Sequence, residues 1–371
     1  MKKLIFRKIT KDTLAFFLLI SIILGSIVWV IQAVNYLDYV TQDGHGLKTY
    51  FLFTLFSFPK IISKLIPFVF FIALFFTLIN YDSKNELLIL WTNGISKLGF
   101  VKKIFAISIF VLLVQIFFSA FLSPFTQYKA RLFLKDSNID FFTVLIKEGK
   151  FINVVEGLTI FIDKKNSDKN FTNIFIDDSS KNQQKMIYAK KGEIIENNKK
   201  KIFILNNGQI LNREKSKFNI FQFEEINFDL SNYTTNTILE PKIQEIESTQ
   251  LLSCYSNLYR QLFVNQENYN FSCEKSILKE IKQELLKRFY KPFYIPVVAL
   301  ISCLLILIPK SNIRYNKSKN ITFLLGFFVL VISESMLRYS TTSNLFFLFY
   351  LMTPFLILIS TYFFIKQRNN V

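Results

Sequence analysis

Six stretches of this chain, approximately residues 14–34, 61–79, 104–121, 292–308, 321–336 and 345–365, are long and apolar enough to cross a bilayer. A hydrocarbon core takes about 17–25 residues of helix, and with no water to satisfy the backbone it admits only helices or closed barrels. The pattern therefore predicts a membrane α-helical fold with six transmembrane helices. The first stretch is too long for a signal-peptide core, and Ile31-Gln32-Ala33-Val34 continues without a small-residue cleavage site. Between the third and fourth stretches lies a long segment of different character, so the helices divide 3+3.

The placement of charge predicts orientation. The formal net charge of +18 points to nucleic acid or to a membrane surface. Four pieces, residues 1–13, 80–103, 309–320 and 366–371, hold 15 basic and 3 acidic residues, whereas the alternate short loops are nearly neutral. Lys and Arg accumulate in short cytoplasmic loops. Both termini are thus expected in the cytoplasm and the long segment outside. The charge reads as topology, with no nucleic-acid partner.

Within that segment, residues 151–155, 158–162, 173–176, 201–205 and 218–223 are short alternating runs separated by Asn, Asp, Gly and Lys. Such spacing predicts an extracytoplasmic all-β domain, a small antiparallel sandwich or jelly roll. Asn206-Asn207-Gly208 is a turn signal that tolerates positive φ. Residues 276–288 read as a helix leading into the fourth span. The expected domains are 1–121, with a short cytoplasmic helix at about 82–96; 122–291, the β domain with helical connections; and 292–371. Cys254 and Cys273, nineteen residues apart without a scaffold pattern, read as unpaired, Cys303 as a small apolar residue of a span, and His45 as an exposed loop residue. No phosphate-binding Gly-rich loop, metal-ligand spacing or nucleophile elbow is present. Any ATP hydrolysis would belong to another chain.

Two stretches carry more specific information. In residues 82–96, Leu87, Leu90 and Trp91 share one face of a short helix, Glu86 sits in its first turn and Gly94 at its end. The pattern suits a docking knob, or an interfacial helix resting on lipid. Asn85-Glu86-Leu87, Leu90 and Gly94-Ile95-Ser96 resemble the loop shared by permease subunits of the lipopolysaccharide export transporter, the LptF/LptG (YjgP/YjgQ) family, though Asn85 stands where Ser is common. Residues 147–162 resemble the entry to that family's periplasmic jelly roll. Ile204-Leu205-Asn206-Asn207-Gly208-Gln209 and Phe228-Asp229-Leu230 are similar to its later strands. Trp29, Gln32 and Leu37-Asp38 look more like the LptF branch.

The resemblance implies a non-catalytic permease subunit in the bacterial inner membrane. Residues 85–87, 90, 91 and 94–96 would form the ATPase-coupling helix. The implied partners are a paralogous LptG permease, an LptB ATPase dimer, single-span LptC and an LptA-type periplasmic bridge. Lipopolysaccharide would enter from the outer leaflet and be pushed into the bridge. No cofactor is implied for this chain; ATP and Mg would sit on the ATPase. Lys60, Lys64, Lys287 and Arg288 are candidate contacts to lipid A phosphates, with a solvated, snorkelling face the alternative for Arg288 and its neighbours. Trp29, Gln32 and Asn35 are candidates for a gate or cavity wall on the first span. The closest rival is an ABC permease that transmits ATP-driven motion to periplasmic machinery without moving lipid. A sensor would need a cytoplasmic output domain, and a lipid-linked sugar transferase would need clustered acids or His beside the membrane.

Overall fold

The computed structural model describes residues 2–37, 47–136, 148–155, 157–166, 170–179, 184–197, 200–214, 217–229, 241–259, 271, 273–308, 310 and 312–369; His45 and its loop lie outside them. The helices are α1 (Lys2–Asn35), α2 (Leu47–Ser83), α3 (Glu86–Thr92), α4 (Lys97–Phe117), α5 (Ser123–Asp136), α6 (Ser248–Tyr259), α7 (Leu278–Leu285), α8 (Tyr294–Cys303), α9 (Tyr315–Tyr339) and α10 (Asn344–Asn369). A π-helical turn, Phe118–Leu122, joins α4 to α5. A second, Leu286–Tyr290, leads from α7 toward α8. Six helical stretches are long and apolar enough to span a membrane, as expected, and the β region falls between the third and the fourth in sequence.

The chain forms two units. Met1–Ala33, Thr54–Ala130 and Pro241–Val371 make the helical unit; Val34–Phe53 and Arg131–Glu240 make the other. Residues 241–291, expected beside the strands, thus pack with the spans. Their apolar side chains, Ile246, Leu251 and Ile281 among them, close a small core around α6 and α7.

In the helical unit the second and fourth spans are central: 67% and 72% of their most apolar windows are buried, against 17% for the first and sixth. Val69, Phe70 and Leu74 of α2 pack with Ile104 and Val111 of α4 and Ile295 and Leu300 of α8. Outward-facing Leu18, Ile22, Ile23 and Ile27 on α1 remain apolar, as suits a helix side facing hydrocarbon. Two glycines permit close helix contacts. A Cβ on Gly25 would stand 2.5 Å from Ile62, and one on Gly326 2.4 Å from the Phe71 ring.

The expectation of unpaired cysteines is overturned. Cys254 of α6 and Cys273, just ahead of α7, form a disulfide with Cα atoms 6.1 Å apart. Both are buried in the small core, whose packing of α6 on α7 brings them within bridging distance.

The β unit contains strands β1 (Lys150–Val155), β2 (Leu158–Lys165), β3 (Asn170–Asp178), β4 (Gln184–Asn197), β5 (Lys200–Glu214) and β6 (Lys217–Asp229). Among the described residues they form one antiparallel sheet in sequence order. Leu158, Ile160, Ile162, Ile174, Ile176, Phe203 and Leu205 share its buried face. The expected turn at Asn206-Asn207-Gly208 is instead interior to β5. Asn207 does take a positive φ of 56°, as does Asn173 at 53° in β3. Ladder pairing lapses at Asn173, Lys190 and Asn207 and resumes in the same register. The left-handed residues bend continuous strands there, so no hairpin forms. Gly208 is required at that bend, because a Cβ would lie 2.0 Å from the Tyr188 carbonyl oxygen.

Candidate functional site

Two arrangements in the helical unit can support function. The first is α3, a two-turn helix in the short connection between the second and third spans. Gly94, with φ +74°, ends it. The Ile95 amide donates to the Leu90 carbonyl and the Gly94 amide to the Trp91 carbonyl, closing the last turn. Ser96 then starts α4 by accepting from the Gly99 amide at 3.1 Å. Leu87, Leu90 and Ile95 are buried against the spans, and Trp91 meets the edge of Phe100 at 5.6 Å. The apolar stripe is therefore the helix's anchor. Its outward face carries Leu88 and Ile89, 60% and 55% exposed.

The anchoring extends to α1. Lys8 pairs with Glu86 at 3.1 Å, and Tyr81 Oη donates to Asp12 at 2.6 Å. Lys310 Nζ also donates to the Ser83 carbonyl. Two separate chain segments, α1 and the stretch at Lys310, thus grip the α2–α3 corner.

The second arrangement is a polar cleft between the second, third and fourth spans. Lys60, Ser63, Lys64, Gln115, Ser119 and Ser123 line it, together with Gln127, Gln244, Glu284, Lys287, Arg288 and Lys291. Its cations differ in what they are paired with. Lys287 is 2.8 Å from Glu284, and Lys291 bonds Glu334. Arg288, 1% exposed, uses all five donors internally. Nε donates to Glu284; Nη1 to the Ile246 carbonyl and Ser248 Oγ; Nη2 to the Ile243 and Gln244 carbonyls. The structure thus corrects two readings of Arg288: it is neither a snorkelling surface residue nor a free headgroup contact. Lys60 and Lys64 have no ion-pair or hydrogen-bond partner among the described residues. One helical turn apart on α2, both present their charge to the cleft.

Two π-helical turns shape this end of the bundle. Ser119 in the first donates to the Arg288 carbonyl in the second at 2.8 Å, and Ser248 donates to the Ala120 carbonyl. Gln115 Nε2 reaches the Ser63 carbonyl at 2.7 Å, tying the third span to the second beside Lys64.

A family model, Lipopolysaccharide export system permease LptF/LptG, matches residues 7–367. The chain belongs to the LptF/LptG family. An uncharacterized protein of Rickettsia prowazekii (strain Madrid E) is 23% identical over 207 residues, a match covering 55% of this chain and 57% of that protein. Membership and the six apolar helices make this a multi-pass inner-membrane protein.

The remaining candidates of this LptF/LptG-family chain do not form one site. Trp29 Nε1 donates to the Thr54 carbonyl at 2.9 Å and its ring meets Phe58, so it fastens α1 to α2. Gln32 is half-buried and Asn35 exposed at the end of α1. The sheet has a cleft of about 1120 Å³ on which Phe151, Phe161, Phe175 and Tyr188 stand directly across successive strands. Ring centroids lie 4.7 Å apart for Phe151–Phe161 and 4.8 Å for Phe175–Tyr188. Sequence reasoning missed this row, although the runs 151–155, 158–162 and 173–176 contain Phe151, Phe161 and Phe175; Tyr188 lies in a strand that the alternating runs did not include.

Proposed function

We propose that this chain is the membrane permease subunit of an ABC transporter that takes lipopolysaccharide from the outer leaflet of the inner membrane and passes it to a periplasmic jelly-roll bridge. The observation that carries the reading is α3. It is capped at its end, anchored through Leu87, Leu90 and Ile95, and exposes Leu88 and Ile89, as a rigid knob receiving force from another protein would. Its partner on this reading is an LptB-type ATPase dimer that holds ATP and Mg; the chain itself is non-catalytic and binds no cofactor. Both termini and α3 lie in the cytoplasm, and the β unit is periplasmic.

The lysine cleft supports the choice of passenger. Lys60 and Lys64 offer unneutralised charge beside apolar helices, which matches a lipid carrying phosphates at headgroup height. The aromatic row on the β unit gives acyl chains an apolar surface for the onward step. A paralogous LptG permease would complete the cavity, with LptC and an LptA-type protein extending the periplasmic path. Trp29 and the LptF-like opening favour the LptF role.

Photo-crosslinkers at positions 60 and 64 test the passenger. Lipopolysaccharide adducts at either position are expected in native membranes, and their absence at both contradicts the cleft's assignment.

A further inference from the structure

Arg288 and the Cys254–Cys273 bridge belong to the same small platform, and we propose that together they form a redox-set positioning device for the lysine cleft. The disulfide holds residues 243–248 on the guanidinium, and the guanidinium holds the cleft wall. What the cleft binds rests on the proposed function; how it is assembled does not.

The platform is poorly stabilised without the bridge. Its buried set is Ile246, Leu251, Cys254, Phe271, Cys273 and Ile281, so two of the six are the bridged cysteines themselves. A core this small generally needs a staple. The segment before α6 and the first residue of that helix share one donor group. The Ile243, Gln244 and Ile246 carbonyls and the Ser248 hydroxyl all accept from Arg288. If this segment departs, a buried guanidinium loses four of its five bonds, an expensive state that favours rearrangement of its own helix. The consequence reaches the cleft because Gln244, Glu284, Lys287 and Arg288 all line it. Ser119 and Ser248 extend the same connection to the third span.

Bridge formation supplies the switch. The thiolate of one cysteine attacks a protein-disulfide oxidant, giving a mixed disulfide. The second thiolate then displaces the oxidant, so two thiols lose two protons and two electrons while the oxidant becomes a dithiol. The reaction suits the periplasm, the side to which the proposed orientation assigns these cysteines. The cleft is therefore completed only after the segment has crossed the membrane. Arg288, Cys254 and Cys273 are positioning residues.

The test uses the full-length protein in lipid nanodiscs, compared as oxidised, phosphine-reduced and reoxidised samples and as the Cys254→Ser/Cys273→Ser variant. Hydrogen exchange over 243–258 is expected to rise about a hundredfold on reduction and to recover on reoxidation. Exchange across the centre of α2 stays unchanged. Binding of diphosphoryl lipid A is expected to weaken about tenfold on reduction and to return on reoxidation, with Arg288→Lys also weakened. Unchanged exchange over 243–258 in verified reduced protein overturns the device, as does lipid A binding that ignores reduction. Faster exchange on reduction with no lipid A binding in any sample supports the device and contradicts the proposed passenger. The chemically reduced wild type keeps the test valid where the double variant does not fold.

Discussion

Arg288 shows how a charged residue beside a membrane becomes structural. Its i, i+4 spacing from Glu284 is visible in the chain, but its other acceptors lie 40 to 45 residues earlier, at Ile243, Gln244, Ile246 and Ser248. Truncating Arg288 to Ala leaves a buried carboxylate and several buried carbonyls short of partners. A loss of about 3–5 kcal/mol is expected, read as a lower unfolding midpoint in detergent. The candidate contacts Lys60 and Lys64 behave oppositely: Lys60→Ala and Lys64→Ala remove no ion pair or hydrogen bond described in the structure, so the midpoint stays within about 0.5 kcal/mol of wild type. At Gly94 the backbone decides. With φ +74° and open space around a Cβ, Gly94→Ala is penalised by conformation alone, by about 1 kcal/mol. That cost falls on the end of α3 and is measurable as faster exchange of the Ile95 amide.

At the scale of elements, α3 and the sheet separate what alternation and caps disclose from what packing decides. Glu86 at the start, Gly94 at the end and the Leu87–Leu90–Trp91 stripe were legible because helix periodicity and caps are local. The stripe's direction was not, since an apolar face looks the same whether it meets its own spans or a partner. With Leu87 and Leu90 buried, the exposed Leu88 and Ile89 are the contact surface that the proposed function assigns to the ATPase. Leu88→Asp with Ile89→Asp is expected to abolish co-purification of the ATPase while leaving the unfolding midpoint unchanged; full recovery of the ATPase with the double variant contradicts that surface. In the sheet, Asn207 was legible as a residue for positive φ, yet a strand bend and a hairpin demand the same chemistry. Pairing of β5 on both sides of Asn207 with β4 and β6 is a long-range fact. Gly208→Ala forces a side chain against the Tyr188 carbonyl, and a penalty of at least about 1–3 kcal/mol is expected. Limited proteolysis of the β unit detects it as earlier cleavage.

Across the whole molecule, the division into three helices, a β region and three helices was legible because spans and strands differ in length and period. The association of residues 241–291 with the helical unit was not, because it depends on contacts between residues distant in the chain, Ser119 with the Arg288 carbonyl, Ser248 with the Ala120 carbonyl and Lys291 with Glu334. The proposed mechanism joins two ends of that helical unit: the α2–α3 corner, tied to α1 by Tyr81–Asp12 and Lys8–Glu86, and the lysine cleft between the second, third and fourth spans. Helices α2 and α4 run between these ends, and on the proposed function they are the route by which motion at α3 reaches the cleft. Depletion of the chain in its native cell, followed by fractionation of the two membranes, tests the central claim most directly. Newly made lipopolysaccharide is predicted to accumulate in the inner membrane; its undiminished delivery to the outer membrane would contradict the account.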